Sequence, residues 1–323
     1  MIGASSAAGT GVGCSKEFTS RGAKGTMGTR QQEETLLYFR EHARDWKTKA
    51  SSADERKVNV IQQRNGFVLS VIANRATTTS TLDVGCGTGD LVCEIARTGI
   101  HATGVDFAQE MIDIARARGQ EQGLDAAQFC CSSIFDFDLT QHRYDLVSAN
   151  GFIEYISLEE LDRFLDLSHQ ALNPGGSLVL GSRNRLFNIF SLNSFTLEEI
   201  DSGTATLLLQ EATLLAQGIR LAALAESDAA PFQKPCSERI RTGIDVATRY
   251  QFTPAQLARM LKARGFTIKQ LYPIHIHSVP PAFEAQHPET HASISTLLQD
   301  YAHEQLSLVP YSSSFMLHVE REQ

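Results

Sequence analysis

A nine-residue run, Leu82 to Asp90, surrounds three closely spaced glycines with acidic side chains. Its sequence is LDVGCGTGD. Apart from Asp83, the residues from Thr81 to Val84 are apolar or β-branched, and Leu91 and Ile95 then recur at helical spacing. The glycines are therefore predicted to lie in a turn from a strand into a helix. A turn without Cβ atoms lets a ligand come close to the backbone.

Two kinds of ligand suit such a turn: the pyrophosphate of a dinucleotide or a cationic cofactor. The dinucleotide fingerprint is G-x-G-x-x-G, whereas this turn has glycines at 85, 87 and 89 and Asp90 at the sixth position. Asp83 adds a second carboxylate. Two carboxylates beside the turn would repel a pyrophosphate and attract a cation, so we expect a positively charged cofactor.

A further acidic residue, Asp106, follows Gly85 by 21 positions and ends the segment HATGVD. In open α/β sheets a carboxylate at the end of the second strand accepts hydrogen bonds from the ribose hydroxyls of a bound nucleoside. Asp106 also suits the cap of the helix that follows, and the two roles are compatible. We predict that Asp106 binds a ribose.

These motifs resemble those of the class I S-adenosylmethionine-dependent methyltransferases of the small-molecule type. The resemblance is close over residues 76–182 and looser over 250–320. It implies S-adenosyl-L-methionine as cofactor, whose ammonium and sulfonium groups suit an acidic turn, and a small-molecule acceptor. It also implies cofactor contacts from the glycine turn and from the ends of the next three strands. The predicted cofactor-binding residues are Asp83, Gly85, Cys86, Gly87, Gly89, Asp106, Phe107, Met111, Ser133, Ile134 and Asn150.

The elements that must position these residues alternate between strand and helix. Strands are predicted at 81–84, 101–106, 127–132, 144–149, 177–182, 267–272 and 315–319. Helices are predicted at 158–172, where Ser157 and Glu160 form a capping box, and from Thr253 to Gly265. This order predicts an α/β fold. We expect a Rossmann-like, doubly wound, seven-stranded sheet with N-terminal helices and a helical insertion after strand five.

The chain is predicted to divide into three parts. Residues 1–30 are rich in glycine, serine and alanine and are expected to be a disordered tail, and 31–75 have the apolar spacing of a helical cap. Residues 76–323 are expected to form the methyltransferase domain that the resemblance implies. Within it, the insertion at about 183–245 occupies the position of a lid over the acceptor in related enzymes.

Acceptor-binding residues should follow the fourth and fifth predicted strands, because ligands of open α/β sheets bind beyond the carboxyl ends of the strands. This rule selects Tyr155, Arg183 and Arg185. Two guanidinium groups directly after a strand suit a carboxylate or phosphate on the acceptor, although ordinary salt bridges are an equal alternative.

Three residues are candidates for a catalytic base: Glu154, His275 and His277. The two histidines alternate along a predicted strand or its exit loop, and imidazole titrates near neutral pH. Six of the ten histidines fall between 275 and 318, which raises the alternative of a metal site. Their spacing matches no specific metal motif, so we predict that no metal is bound.

Composition limits the remaining choices. The 323 residues carry a formal net charge of -8, which disfavours nucleic acid as a partner, and no apolar run is long enough to span a membrane. The six cysteines contain no C-x-x-C pair, which favours a reducing, cytoplasmic location. The oligomeric state cannot be predicted.

The favoured function is methyl transfer to oxygen or nitrogen of a polar small molecule, such as a sugar derivative, a natural-product intermediate or a lipid precursor. Carbon methylation or decarboxylation on the same scaffold stays open, because fold alone does not decide the chemistry. The alternative from another class is a non-catalytic S-adenosylmethionine-binding regulatory or partner protein.

Overall fold

The computed structural model of the chain describes residues 30–50, 58–139, 142–233, 249–302 and 305–323. Within them, seven strands form one sheet in the order β3-β2-β1-β4-β5-β7-β6. The strands are β1 (Ser80–Val84), β2 (His101–Asp106), β3 (Ala127–Cys131), β4 (Tyr144–Asn150), β5 (Leu172–Arg183), β6 (Phe266–Ile276) and β7 (Ser312–Arg321).

The sheet is mixed. Strands β1 to β5 pair in parallel, whereas β7 lies antiparallel to both of its neighbours, β5 and β6. The strand order reverses between β1 and β4, since β2 and β3 lie on one side and the later strands on the other. The predicted Rossmann-like α/β sheet is confirmed. Its reversal point is where ligands bind in open α/β folds.

Helices occupy the connections and the start of the described chain. They are α1 (Arg30–Glu41), α2 (Ala43–Ala50), α3 (Val60–Ala73), α4 (Asp90–Ala96), α5 (Gln109–Glu121), α6 (Leu158–Ala171), α7 (Phe187–Phe190), α8 (Ser194–Asp201), α9 (Ala205–Ala216), α10 (Leu221–Leu224), α11 (Pro254–Lys262), α12 (Pro281–Glu284) and α13 (Pro288–Asp300).

Side chains along the buried strands alternate between the two faces of the sheet, and each face has its own apolar core. Leu178 and Leu180 of β5 belong to the core that contains α6 and α11, whereas Val179 between them packs with the core that contains α3 and α4. Successive strand residues face opposite sides of a sheet. Both faces of the sheet are therefore covered by helices, as expected for parallel strands.

Local sequence signals explain where the principal helices begin. Helix α6 starts with the predicted capping box, in which Ser157 Oγ accepts from the Glu160 backbone and the Glu160 carboxylate accepts from the Ser157 backbone. Thr253 and Gln256 make the same arrangement at α11, with Pro254 in the first turn. These caps fix the ends of helices that pack beneath β4 to β7.

The division into domains stays a prediction. Within the predicted cap, the described residues form α1, α2 and α3, and within the predicted insertion they form α7 to α10. Residues 1–29, and with them nearly all of the predicted tail, lie outside the described residues, as does 234–248. No helix in the described parts of the chain is long and apolar enough to cross a membrane.

Candidate cofactor and acceptor site

The glycine turn joins β1 to α4 at the reversal point of the sheet. Gly85, Gly87 and Gly89 have φ angles of 70°, 51° and 74°, in the left-handed region that other L-residues avoid. At Gly89 a Cβ would also come within 2.7 Å of Ala115 and Phe129 side-chain atoms. The turn therefore needs glycine for both its backbone path and its packing against α5 and β3.

Asp106, at the end of β2, binds the turn directly. One carboxylate oxygen accepts from Gly87 N at 3.0 Å, and the other accepts from Ala108 N at 2.9 Å. Burial raises the pKa of Asp106 to about 6, although these backbone hydrogen bonds oppose the shift. The carboxylate thus holds the turn in place and lies at the wall of the cavity described below.

Asp83, in β1, is a second buried carboxylate beside the turn. Ser148 Oγ of β4 donates to Asp83 Oδ1 at 2.7 Å. Burial raises the pKa of Asp83 to about 7, and the neighbouring Asp106 charge adds to the shift. Two such carboxylates are costly to ionise in the absence of a cation, and a bound cation would favour their charged forms.

A cavity of about 950 Å³ opens over the turn. This volume is at the upper end of the range for ligand sites, so it has room for a cofactor and a small acceptor. Ten of the eleven predicted cofactor residues line it, and Gly89 does not. The lining residues are Asp83, Gly85, Cys86, Gly87, Asp106, Phe107, Met111, Ser133, Ile134 and Asn150.

Asn150 ends β4 and offers an acceptor to the cavity. Its Nδ2 donates to Asn65 Oδ1 of α3 at 3.4 Å, whereas its own Oδ1 is shielded from solvent and accepts no hydrogen bond from the described residues. A buried carbonyl oxygen without a donor is uncommon in folded proteins. A ligand with an N–H group would satisfy it.

The far end of the cavity has basic character. Glu154 is 2 % exposed and lies between two arginines, with its Oε1 3.4 Å from Arg64 Nη2 and its Oε2 3.4 Å from Arg183 Nε. Arg64 Nη2 also donates to Ser314 Oγ at 2.8 Å. Burial lowers the pKa of Arg183. One carboxylate thus faces two guanidinium groups, which leaves an excess of positive charge.

Gly151 makes room for Arg64 at this end. Its φ is 74°, and a Cβ at this position would overlap the Arg64 guanidinium. Helix α3 therefore delivers Arg64 to the cavity through a gap that only glycine leaves open. Arg64 could not be predicted from the sequence, since its helix lies far from the fourth strand in the sequence and carries no motif.

The structure separates the predicted acceptor and base residues into two groups. Glu154, Tyr155, Arg183 and His275 line the cavity. Arg185 and His277 do not: Arg185 is 2 % exposed and donates from Nε and Nη2 to the Glu199 carboxylate at 2.9 and 2.7 Å. The predicted acceptor contact of Arg185 is thus replaced by an ion pair inside the insertion. His277 Nδ1 hydrogen-bonds to Glu284.

Helices α1 and α2 cover part of the cavity. The sequence predicted helices here but not the surface on which they pack. Leu36, Phe39 and Trp46 line the cavity and pack near Met111 at the start of α5. The Phe39 ring also meets the Tyr155 ring edge to face, with centroids 5.4 Å apart. The spacing of these apolar residues was visible in the sequence, but the surface that they cover was not.

Comparison with known proteins finds a family match for one segment of the chain. Residues 81–176, which include the turn, Asp106 and Asn150, match the family model described as a methyltransferase domain. This segment therefore resembles a methyltransferase domain. The predicted resemblance to the class I S-adenosylmethionine-dependent methyltransferases is confirmed.

Curated relatives match this chain over part of their length. The ubiquinone biosynthesis O-methyltransferase of Coxiella burnetii is 28 % identical over 160 residues, which are 49 % of this chain and 65 % of the relative. The enzyme of the same name from Xylella fastidiosa is 33 % identical over 112 residues, 34 % of this chain and 44 % of the relative. The chain thus spans less than two thirds of the length of these relatives.

Solved methyltransferase structures share the fold. The structure of magnesium protoporphyrin IX methyltransferase from Synechocystis with bound S-adenosylhomocysteine aligns with 90 % of this chain over 100 % of its own length. Its TM-score is 0.53 and its sequence identity is 14 %. The structure of the 1,6-didemethyltoxoflavin-N1-methyltransferase of Burkholderia thailandensis aligns with 93 % of this chain over 94 % of its own length. Its TM-score is 0.53 and its sequence identity is 12 %. At these identities the likeness concerns the fold alone.

Proposed function

We propose that this chain is an S-adenosylmethionine-dependent methyltransferase that methylates an oxygen or nitrogen of a polar, anionic small molecule. The observation that carries the proposal is the pair of buried carboxylates, Asp83 and Asp106, at a glycine turn whose conformation leaves no side chain in the way. A dinucleotide would bring phosphate charge to this point. A sulfonium cofactor brings positive charge.

The fit of the cofactor is supported from three directions. Asp106 lies where a ribose would be bound, at the end of the strand next to the turn. Asn150 Oδ1 is a shielded acceptor without a donor among the described residues, which suits the ammonium of the methionine part. Ser133 and Ile134, which follow β3, line the cavity where the resemblance implies an adenine.

The chain's own residues are proposed to act mainly by alignment. S-adenosylmethionine supplies an activated methyl group, so the protein must hold the nucleophile in line with it and exclude water. Arg64 and Arg183 would bind an anionic group of the acceptor, and Tyr155 would form the adjoining wall. Alignment of this kind contributes ~7 kcal/mol in favourable cases.

A protein base would add a smaller contribution for a hydroxyl acceptor. Glu154 lines the cavity, but its two salt bridges favour a role in positioning Arg64 and Arg183. His275 also lines the cavity, and its ring nitrogens face Ser313 and His291. Among the three predicted base candidates, these two keep access to the cavity, and His277 does not.

Calorimetric titration of the purified chain tests the cofactor. We expect S-adenosylmethionine and S-adenosylhomocysteine to bind with one site per chain, and NADH not to bind. Binding of NADH with exclusion of S-adenosylmethionine would refute the proposal. Cofactor binding without turnover on a broad panel of small-molecule acceptors would favour the non-catalytic cofactor-binding partner instead.

The acceptor class is tested with paired acceptors that differ only in an anionic group. Arg183→Ala should raise the KM for the anionic acceptor by ~10 to 100-fold, which corresponds to the loss of a hydrogen bond to a charged group. Cofactor affinity should not change. Equal KM values for the neutral and anionic acceptors in the unsubstituted chain would contradict this assignment.

A further inference from the structure

Three histidines from separate parts of the sequence meet beside the acceptor end of the cavity. His275 lies in β6, His277 follows that strand directly, and His291 lies in the first turns of α13. A ring nitrogen of each lies within 4.8 Å of the others. His275 Nε2 and His291 Nε2 are 3.0 Å apart.

Other side chains hold the Nδ1 atoms of two of the three rings. His275 Nδ1 is 3.2 Å from Ser313 Oγ, and His277 Nδ1 hydrogen-bonds to Glu284 Oε1. His291 Nδ1 lies 3.3 Å from the same carboxylate oxygen, but the alignment does not form a hydrogen bond. These contacts orient the rings, and the Nε2 atoms of His275 and His291 face each other.

One Nε2 atom of the cluster lacks a hydrogen-bond partner among the described residues. His277 Nε2 is shielded from solvent and has no hydrogen-bond partner among the described residues. The side chains of His277, His291 and Glu284 are 6 %, 10 % and 11 % exposed, so bulk water does not supply one. An imidazole buried only for packing usually has its nitrogens satisfied.

The backbone at this point is also unusual. His275 has a φ of 55°, one of two non-glycine residues with a positive φ in the described chain. Its backbone N donates to Gln63 Oε1 of α3 at 2.9 Å, which holds it in this conformation. Left-handed backbone at a non-glycine residue in a strand is concentrated at functional sites.

We propose that His275, His277 and His291 bind one divalent transition-metal ion through their Nε2 atoms, and that zinc is the preferred ion. Neutral imidazole suits zinc, and three histidines are a known zinc ligand set. Two nitrogens bonded to a tetrahedral zinc lie ~3.3 Å apart, close to the 3.0 Å between His275 and His291. Glu284 and Ser313 are positioning residues for the rings.

The site departs from the expectation of no metal that the histidine spacing gave. His291 comes from a helix, not from the strand that carries His275, so no sequence motif joins them. Three protein ligands leave a fourth coordination position open. His275 and Ser313 line the cavity, so a metal here would adjoin the acceptor end, next to Arg64 and Ser314.

The test is metal binding by the full chain, purified without a polyhistidine tag and dialysed against a chelator. Titration with zinc chloride should show one site per chain. Titration with cobalt(II) chloride should give the intense visible absorption of a tetrahedral cobalt site. Both readouts are taken without cofactor or acceptor, so their failure would leave the proposed methyl transfer untouched.

Matched variants separate the cluster from other histidines. His291→Gln should weaken zinc binding by at least 100-fold and abolish the cobalt spectrum. His287→Gln, an exposed position one helical turn earlier, should bind like the unsubstituted chain. Glu284→Gln keeps all three ligands and should weaken binding by ~10 to 100-fold, as losses of supporting carboxylates do.

The variants also decide whether a loss of binding is only a loss of folding. The far-ultraviolet circular dichroism of His291→Gln should match that of the unsubstituted chain. Zinc should raise the melting temperature of the unsubstituted chain but not that of His291→Gln. The proposal is overturned if the unsubstituted chain binds neither metal at micromolar concentration. It is overturned equally if His287→Gln loses as much affinity as His291→Gln.

Discussion

At the scale of single residues, the Asp106 carboxylate holds the glycine turn and is proposed to bind a ribose as well. In the structure it accepts backbone hydrogen bonds from Gly87 and Ala108, and it also lines the cavity. A carboxylate has about four acceptor sites, so these two bonds leave capacity for a ribose. The cap and the ribose contact, which the sequence left as compatible alternatives, can therefore coexist.

Replacing Asp106 by alanine should weaken S-adenosylmethionine binding by ~100-fold or more, because hydrogen bonds from both ribose hydroxyls to a charged acceptor are lost. Calorimetric titration measures the change. Asp113→Ala, on the exposed side of α5, is the control and should bind normally. An Asp106→Ala affinity within threefold of the unsubstituted chain would remove the ribose assignment.

At the scale of secondary-structure elements, α1 acts as a cover because one of its faces is apolar. Phe39 packs against Tyr155 and Trp46, with ring centroids 5.4 and 5.8 Å away, whereas Leu37 points outward and is 58 % exposed. The helix thus contributes a wall to the cavity without belonging to the sheet. Such covers exclude water from the transferring groups.

Phe39→Ala should increase the dissociation rate of S-adenosylmethionine and lower its affinity by ~10-fold, because it opens this wall of the cavity. Stopped-flow displacement by S-adenosylhomocysteine measures the rate. Leu37→Ala, two residues earlier on the exposed face, serves as the matched control. Identical dissociation rates for the two variants would show that α1 does not retain the cofactor.

The insertion after β5 is held by a buried ion pair between Arg185 and Glu199. Besides the two hydrogen bonds from Arg185, the Glu199 carboxylate accepts from Asn188 and Gln233 at 2.8 and 2.9 Å. Burial raises the pKa of Glu199, but the hydrogen bonds and charge of Arg185, with hydrogen bonds from Thr204 and Asn188, lower it overall. The pair joins the end of β5 to α8.

Arg185→Met should destabilise the fold by about 3 to 5 kcal/mol, since it leaves Glu199 buried without its cation. Thermal unfolding measures the loss. Lys262→Met removes a pair with Glu226 on the surface, with both side chains more than half exposed, and should change stability by less than about 1 kcal/mol. If Arg185→Met has the same melting temperature as the unsubstituted chain but a higher KM for the acceptor, then Arg185 binds the acceptor and does not mainly stabilise the fold.

The strands, the capped helices and the glycine turn could be predicted because their signals are local. Residues 82–90 form a contiguous motif, and Ser157 and Glu160 cap a helix from within four residues. The proposed acceptor end could be predicted only in part: Arg183 was selected by its place after a strand, whereas Arg64 and Ser314 were not. It is assembled from Arg64 of α3, Arg183 of β5 and Ser314 of β7, which meet only after the sheet has formed.

The same reason explains why the surroundings of Arg185 and of the histidines could not be predicted. Arg183 ends β5 and Arg185 lies two residues further on, and no local signal distinguishes the arginine that lines the cavity from the one that packs inside the insertion. His275 and His277 were recognised as a pair, but the partner that completes their cluster comes from α13. Spacing along one element predicts neighbours on that element only.

At the scale of the whole molecule, the cavity has opposite charge at its two ends. Asp83 and Asp106 lie at the turn, and Arg64 and Arg183 lie at the far end. Burial of the two carboxylates makes folding depend on pH. Because the pKa values of Asp83 and Asp106 are raised to about 7 and 6, the folded state binds their protons more tightly than the unfolded state. Their contribution to stability is lost as pH rises from about 4 to about 7.

A bound cation should reverse this penalty, so cofactor affinity should rise with pH over the same window. We expect the dissociation constant of S-adenosylmethionine to be at least ~10-fold larger at pH 5 than at pH 7, since each pKa unit corresponds to a factor of ten. Titrations at several pH values measure it. Asp83→Asn should flatten this dependence and, without cofactor, melt at a higher temperature at pH 7. A pH-independent affinity would contradict the coupling.

The position of β7 has a consequence for how the protein is made. This strand follows β6 in the chain but pairs between β5 and β6, and it carries Ser313 and Ser314 to the cavity wall. On the ribosome, β1 to β5 emerge first and already contain the glycine turn and Asp106. The nascent chain can thus form the side of the cavity beside the glycine turn early. Strand β6 has no strand to pair with until β7 is translated, so the side of the cavity that β6 and β7 supply forms last.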